Sequence, residues 1–516
     1  MGMAARHRRE KEVPMLLHQL IAELDPRINL DGIANVEIRG ICEDSRLAQR
    51  GDLFIARTGM KTEGVKFVGQ AVERGAAALV TAAKIADCTV PQVIVPDPAA
   101  VIGAIAQIFY NHPSREMRVV GITGTNGKTT TAYLVRHILN KFNLRCGMIG
   151  TVETDDGKDR REATMTTPGA IDVAKLLAEM RDNGCRGCAM ETSSHALHQG
   201  RVGFVRFAGA AFTNLTRDHL DYHGQMEQYA AAKALLFQML DENAIAVVNA
   251  DDPWSDRMVA GCEARTVWFG FGPDAHYRAQ DLAITSQGSR FILHTPDGSD
   301  EVAMGLIGRH NMANALTAAA LVGEVFGLSV HQIAGGLRDA QGAPGRLQAV
   351  RAGQPFAVLV DYAHTHDALE KVLTALRPLT RGKLRVLFGC GGDRDRAKRP
   401  LMARATERFA DVVYVTSDNP RTENAIEIID QILAGFQDRR QKPPIVEPDR
   451  RAAITKILQD AEPGDVVLLA GKGHENYQIV GQTKRHFDDL EEAKMVLEKA
   501  AFAEASPSAS HRDSKI

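Results

Sequence analysis

The segment Gly124-Thr-Asn-Gly-Lys-Thr-Thr130 constrains this chain more than any other stretch. It follows an apolar run, Arg118-Val-Val-Gly-Ile122, and leads into a helical run that ends near Phe142. A buried strand that enters a glycine loop and then a helix gathers backbone N–H groups and a helix N-terminus around one point. Glycine lets the backbone approach a phosphate closely. Lys128 can reach the terminal phosphates of a nucleotide, and the Thr129 hydroxyl can ligate Mg²⁺. Gly124, Thr125, Asn126, Gly127, Lys128, Thr129 and Thr130 are therefore expected to bind ATP. The spacing departs from the general phosphate loop, where a glycine stands five residues before the second glycine; Ile122 holds that place.

The chain has 516 residues, room for about three or four domains. Strands are expected at Gly187–Glu191, Gly209–Thr213 and Ile245–Asn249, with helical runs at Ile171–Asn183 and Gln225–Leu240 between them. Such alternation predicts a largely parallel sheet. Tyr277–Val302 reads instead as an antiparallel appendage. Two breaks divide the chain, at Asn111-His-Pro-Ser114 and at Gln341-Gly-Ala-Pro-Gly-Arg346. The segments are then 1–114, 115–343 and 344–516, with 1–14 and the tail after about 500 read as disordered. Beyond the second break, strands at Phe356–Asp361, Leu384–Gly389, Asp411–Thr416 and Asp465–Ala470 alternate with helices, a Rossmann-like series. The fold class is α/β, with a phosphate-loop central domain and a Rossmann-like C-terminal domain.

Composition excludes several functions. Lys plus Arg is 62 and Asp plus Glu is 64, so a net charge of -2 gives no bulk attraction to nucleic acid or membrane. No apolar run reaches the ~18 residues that span a bilayer. The basic N-terminus lacks an apolar run behind it, so it does not read as a signal peptide. Seven scattered cysteines suit a reducing cytoplasm. The pair Cys185 and Cys188 has no second pair near it and reads as core.

Four polar loops follow the C-terminal strands: Asp361-Tyr-Ala-His-Thr365, Gly391-Gly-Asp-Arg-Asp395, Asp418-Asn-Pro-Arg421 and Gly471-Lys-Gly-His-Glu475. In open α/β sheets the ligand lies beyond the carboxyl ends of the strands, so these loops are expected to form a site.

The phosphate loop, Thr123-Gly-Thr-Asn-Gly-Lys-Thr-Thr130, resembles that of the Mur ligases, ATP-dependent amide-bond ligases of cell-wall precursor synthesis. Glu191-Thr-Ser-Ser-His195, Asn214-Leu-Thr-Arg-Asp-His-Leu-Asp-Tyr-His-Gly224, His310-Asn-Met-Ala-Asn-Ala315, Asp361-Tyr-Ala-His364 and Gly473-His-Glu475 follow in the family's order. The resemblance runs from about Asp44 to Asp489. It implies a three-domain fold, ATP as co-substrate, Mg²⁺ and small-molecule substrates only; with no signal or transmembrane segment read, a cytoplasmic enzyme is expected, and a monomer. It implies catalytic roles for Lys128, Glu191, His219 and Lys233. Thr129, Glu191, His219 and a carbamylated Lys233 would hold metal. Taken alone, His219 reads as structural and Lys233 as a solvated surface lysine. The resemblance also points to Asn311 near adenine, Arg346 near the phosphates and Asp361 near ribose.

Glu43-Asp-Ser-Arg-Leu47 and Gly51-Asp-Leu-Phe54 resemble the UDP-binding domain of the family's third-amino-acid-adding branch. That implies UDP-N-acetylmuramoyl-L-alanyl-D-glutamate as substrate, held by Glu43, Ser45, Met60, Lys61, Thr62, Met165, Thr166, Thr167, Ser193, Gln199 and Arg201. The added amino acid is expected at Arg394, Asp418, Asn419, Pro420, Arg421, Gly471 and Glu475. Pro420 fixes a turn. Arg421 offers carboxylate a planar fork, while Asp418 and Glu475 accept from ammonium. Both signs suit meso-diaminopimelate, since lysine would leave a buried arginine unpaired. The expected reaction phosphorylates the D-glutamate γ-carboxylate with ATP, and the diaminopimelate amine then attacks. His364 and His219 are both candidates for the proton acceptor. A lysine-adding ligase of the same family and a phosphate-loop ATPase without ligase activity are the rival readings.

Overall fold

The computed structural model describes residues 14–57, 64–285, 288–438 and 443–505. Met60, Lys61, Thr62 and the expected N-terminal tail as far as residue 13 lie outside them. The last helix, Asp489–Ala505, runs past the point near 500 where a tail was expected. No described helix is long and apolar enough to cross a membrane. The chain folds as two compact units. One comprises the residues up to Phe269 with Ala320–Gly327, the other Gly270–Ala319 with the residues from Leu328 on.

The first unit contains two parallel arrangements. Gly40–Cys42, Asp52–Ile55, Ala78–Thr81 and Gln92–Ile94 form a four-stranded parallel sheet in chain order. Helix Pro98–Phe109 packs on it, started by the Asp97 side chain, which accepts from the Ala99 N–H at 2.9 Å. The expected break follows: Asn111 and His112 are left-handed, at φ 57° and 46°.

The larger sheet carries parallel strands in the order Cys146–Ile149, Gly187–Glu191, Arg118–Thr123, Phe207–Phe212, Ile245–Asn249 and Arg265–Gly270. A polar antiparallel pair, Glu153–Asp155 and Arg160–Glu162, adds to the Cys146–Ile149 edge. Their lack of apolar alternation hides these short strands from a sequence reading. Val119, Met190, Phe207, Phe212, Tyr229 and Phe237 fill the core beside Cys185 and Cys188. Both thiols are buried there, and burial raises their pKa values, as the core reading of the pair expects.

In the second unit the stretch read as antiparallel forms Tyr277–Thr285, Gly288–Thr295 and Gly298–Met304, paired antiparallel. The main sheet has the order Gln348–Val350, Ala357–Asp361, Val466–Ala470, Leu384–Phe388, Val412–Val415 and Ile445–Val446, parallel except at its first strand. Alternate residues feed two cores. Leu359, Val386, Phe388 and Leu468 enter one, and Val358, Val360, Leu387 and Leu469 the other. A sheet buried on both faces is what continuous apolar strand runs require. Thr365, Asn424 and Asp449 cap the following helices, each accepting an N–H of the first turn. The four polar loops therefore leave parallel strands on one edge.

Candidate active site

In the first unit the phosphate loop is clamped by the segment that follows strand Phe207–Phe212. The Thr125 N–H donates to the Asn214 carbonyl at 2.8 Å, and the Asn126 N–H to Asn214 Oδ1 at 3.1 Å. Asn214 Nδ2 and the Thr213 hydroxyl donate to the Asn126 carbonyl at 3.0 and 2.6 Å. Gly124 has φ +147°, and a Cβ there would lie 1.9 Å from Thr213 Oγ1, so this position accepts only glycine. Gly127, at φ +89°, turns the chain into helix Lys128–Lys141, whose first turn buries Thr129 and Thr130. Lys128 Nζ donates to the carbonyls of Gly124 and Thr125 at 2.8 and 2.9 Å.

Glu191 ends its strand fully buried. Its carboxylate accepts from the Thr129 hydroxyl at 2.8 Å, the Thr151 N–H at 2.8 Å and the Thr151 hydroxyl at 3.0 Å. The structure thus joins Thr129 to Glu191, a hydroxyl and a carboxylate of the kind a hard divalent cation takes.

Lys233 is not the surface residue that its Ala-rich helix suggests. It is 1 % exposed, and Nζ donates to the Gly124 carbonyl at 2.9 Å, 4.4 Å from the Tyr229 ring centre. Burial, reinforced by Lys128, holds its pKa well below the ordinary lysine value. His219 is half exposed, left-handed at φ 52°, and edge-on to His195 and Tyr229. Among the described residues no three His, Cys, Asp or Glu side chains form a metal-holding group.

Beside Glu191 the residues expected to hold the UDP-linked substrate converge. The Thr167 hydroxyl donates to the Glu191 carbonyl at 2.8 Å and accepts from the Ser193 N–H at 3.1 Å. Arg201 Nη1 donates to the Thr167 carbonyl at 2.9 Å, and Nη2 to Gln199 Oε1 at 2.6 Å; Met165 Sδ lies 3.8 Å from Nη1. The Thr166 hydroxyl donates to the Thr151 hydroxyl at 3.1 Å, since the Thr151 hydrogen goes to Glu191. Glu43 pairs with Arg57 and lies beside Gly169, two residues past Thr167. Ser45 is buried and donates to Gln70 Oε1 at 2.6 Å.

In the second unit Asp361 accepts from the Leu347 and Ala363 N–H groups at 2.7 and 2.8 Å, and burial raises its pKa. Arg346 lies 5.2 Å from the Tyr362 ring centre, with its Nε buried and without a partner. Asn311 donates to the Ile307 carbonyl at 2.9 Å and accepts from Asn314 at 3.2 Å, which leaves half of its amide capacity. Asp418 is buried, and its Oδ1 receives no hydrogen bond. Asn419 Nδ2 donates to Glu475 Oε2 at 2.8 Å; burial, then Asp418, raises the Glu475 pKa. Gly471, at φ +110°, passes against Asp418, and its N–H donates to the Asp361 carbonyl at 3.0 Å. Past Pro420, Arg421 is left-handed at φ 51° and donates to the Gly392 carbonyl at 2.8 Å. A methyl at Gly391 would meet Arg421 Nη1 at 2.9 Å and Arg394 Cγ at 3.8 Å, so both arginines border one turn. His364 stacks on Tyr362, and burial lowers its pKa.

Sequence reasoning assigned no role to Thr151, Thr213, Tyr229, Arg399 or Lys472. Arg399 has no exposed side-chain surface and bonds Glu423 Oε1 and the Gly391 carbonyl at 2.9 and 3.2 Å, fixing the arginine-bearing turn. The one signal in the sequence was the place of Lys472 within the polar loop Gly471–Glu475; its burial shows only in the structure.

Three family models match: the Mur ligase family catalytic domain over residues 37–110, the Mur ligase middle domain over 122–322 and the Mur ligase glutamate ligase domain over 345–473. A relative from Gloeobacter violaceus, named UDP-N-acetylmuramoyl-L-alanyl-D-glutamate--2,6-diaminopimelate ligase, is 45% identical over 94% of this chain and 98% of its own. One of the same name from Bacillus licheniformis is 40% identical over 94% and 99%. A solved structure of an enzyme of that name aligns with TM-score 0.71 and 33% identity, covering 93% and 99%. A MurF ligase from Thermotoga maritima in complex with ADP shares the fold, with TM-score 0.57 and 20% identity over 90% and 98%.

Proposed function

The chain belongs to the Mur ligase family, and on that premise we propose that it joins meso-diaminopimelate to the D-glutamate of UDP-N-acetylmuramoyl-L-alanyl-D-glutamate at the expense of ATP, in peptidoglycan precursor synthesis. The observation that carries this reading is the two-signed loop set of the second unit. Asp418 is buried and Glu475 half-buried, Arg421 acts on Glu475, and Arg421 and Arg394 border the adjoining turn, half-buried and exposed respectively where a buried arginine was expected. An amino acid whose far end bears both ammonium and carboxylate satisfies both pairs, and lysine does not.

ATP transfers its γ-phosphoryl to the D-glutamate γ-carboxylate. The diaminopimelate amine then attacks the acyl carbon, and the tetrahedral adduct expels phosphate. The phosphate loop and Lys128 place and neutralise the phosphates before transfer. Mg²⁺ would be held beside them by the oxygens of Thr129 and Glu191, and would supply charge neutralisation at the transferring phosphoryl group. Its tendency to keep several waters agrees with so few protein oxygens. Lys233 as a carbamate would add an oxygen donor, and His219 a softer nitrogen. Thr167, Ser193, Gln199 and Arg201 are assigned to the muramoyl dipeptide, with Glu43 and Ser45 at the uridine end. Segments 1–114, 115–343 and 344–516 would take the UDP-linked substrate, ATP and the amino acid in turn. A soluble UDP-linked precursor suits a cytoplasmic monomer.

The test is phosphate release from ATP, Mg²⁺ and the UDP-linked dipeptide, with meso-diaminopimelate or L-lysine added in parallel. Release only with diaminopimelate, with a product heavier by that residue, is expected. Release with lysine instead would refute the specificity, and release with neither would leave an ATPase.

A further inference from the structure

Lys472 follows Gly471 in the fourth polar loop, and its side chain has no exposed surface. Nζ donates to the Tyr477 carbonyl and, at 3.3 Å, to Asn419 Oδ1; it stands 3.6 Å from Asp418 Oδ1 and 3.7 Å from Glu475 Oε2. Asn419 Oδ1 also accepts from the Ile479 N–H at 2.9 Å. These two donors fix the amide, so its Nδ2 can only face Glu475. We propose that Lys472 is a positioning residue that sets which amino acid the second unit accepts: it aims Asn419 and Glu475, and its charge disfavours amino acids whose distal end carries an amine without a carboxylate. This deepens the proposed function and rests on it.

The charge pattern explains the selectivity. Lys472 stands against two carboxylates, Asp418 and Glu475; Arg421 also acts on Glu475, and Arg394 borders the same turn as Arg421. Arg450, whose charge also acts on Glu475, is already paired with buried Asp489. Lys472 thus already offsets part of the carboxylate charge that a ligand ammonium would meet. The pocket accepts a zwitterionic end, in which ammonium meets the carboxylates and carboxylate meets the arginines. A lysine end adds a cation and brings no anion. Removing the Lys472 charge relieves that repulsion, which is selectivity by rejection of the wrong partner.

The test compares wild type with Lys472→Met, Lys472→Gln and Lys472→Arg. The readout is the preference for meso-diaminopimelate over L-lysine, measured twice. One measurement is the kcat/KM ratio in phosphate release. The other is the Kd ratio, from calorimetric titration of each amino acid into enzyme saturated with a non-hydrolysable ATP analogue and the UDP-linked dipeptide. The preference should fall about tenfold or more in the Met and Gln variants and stay within about threefold of wild type in the Arg variant. Equal losses for both amino acids, with the preference unchanged, would mean a structural role only and overturn the proposal. If Lys472→Met does not fold by circular dichroism, Lys472→Gln decides, because it keeps a donor and removes the charge. Wild type that turns over neither amino acid would refute the proposed function, while the Kd ratios would still decide the role of Lys472.

Discussion

Replacing Gly124 with alanine tests the phosphate loop where its geometry is tightest. The added Cβ would sit 1.9 Å from Thr213 Oγ1, 3.1 Å from the Asn214 carbonyl and 3.2 Å from its nitrogen, on a backbone at φ +147°. A non-glycine residue there costs about 1–3 kcal/mol. Thr213 must also turn away, losing the bond it donates to the Asn126 carbonyl at 2.6 Å, worth about 1 kcal/mol. With the two remaining backbone contacts, Gly124→Ala should destabilise the unit by about 3–5 kcal/mol. Thr213→Ala alone should cost about 1–2 kcal/mol. The double variant should recover at least about 1 kcal/mol relative to the sum, because the clash partner is gone. Both tryptophans, Trp254 and Trp268, pack against the first unit's core. Urea unfolding followed by tryptophan fluorescence therefore reads this unit alone. Single-variant losses that add within about 0.5 kcal/mol would refute the clash, as would a Gly124→Ala cost below about 1 kcal/mol.

Two further outcomes follow. Arg346→Ala should lower kcat and leave the melting temperature within about 2 °C, since its Nε has no partner to lose and its main contact is the Tyr362 face; a large drop in melting temperature would make its role structural. The His474 pKa is lowered to about 4 by burial and then by Arg346, against about 6.5 unfolded. The unfolded chain thus binds the proton first, and stability is lost as pH falls from about 6.5 to 4, by up to about 3 kcal/mol. His474→Phe keeps the stack on Tyr362 (4.9 Å between ring centres) and takes no proton. Its melting temperature should fall less over that pH range, and parallel curves would refute the assignment.

In the second unit the four central strands of the main sheet were readable to within a residue or so at each end, while its edge strands Gln348–Val350 and Ile445–Val446 and the last helix, Asp489–Ala505, were not. Val412–Val415 and Val466–Ala470 are uninterrupted apolar runs and Leu384–Phe388 is broken only by Arg385, each ended by a polar loop, a pattern that doubly covered parallel strands require. The loops could then be placed on one edge from topology alone. What pairs within those loops was not readable. Lys472 meets Asn419 across 53 residues, and Thr213 meets Asn126 across 87. No local period encodes such distances. Lys233 misleads for another reason: in Tyr229-Ala-Ala-Ala-Ala-Lys-Ala-Leu235 the alanines give the helix no polar face by which to judge what is buried. The Glu153–Asp155 and Arg160–Glu162 strands carry charge at most positions and show no strand alternation.

The burial of Lys233 also yields a chemical prediction. The Gly124 carbonyl accepts from Lys128 Nζ at 2.8 Å and from Lys233 Nζ at 2.9 Å, so two amines share one acceptor. Two ammonium ions that close repel strongly when one is buried. The buried one, Lys233, is the one that loses its proton. A neutral amine can attack carbon dioxide: the nitrogen lone pair forms an N–C bond, a C=O electron pair moves to oxygen, and the amine releases a proton to solvent. The carbamate product replaces a second cation beside Lys128 with an anion, turning repulsion into attraction and adding oxygen donors beside the phosphate loop. Enzyme kept free of carbon dioxide should therefore lose activity and regain it with bicarbonate. Carbon-13 NMR with labelled bicarbonate should show a carbamate signal that Lys233→Met lacks. Lys233→Met should still fold, because a buried methionine replaces a buried amine at the loss of one hydrogen bond, about 1 kcal/mol. A carbamate signal that persists in that variant would place the modification elsewhere, and full activity without carbon dioxide would make the neutral amine itself the working form.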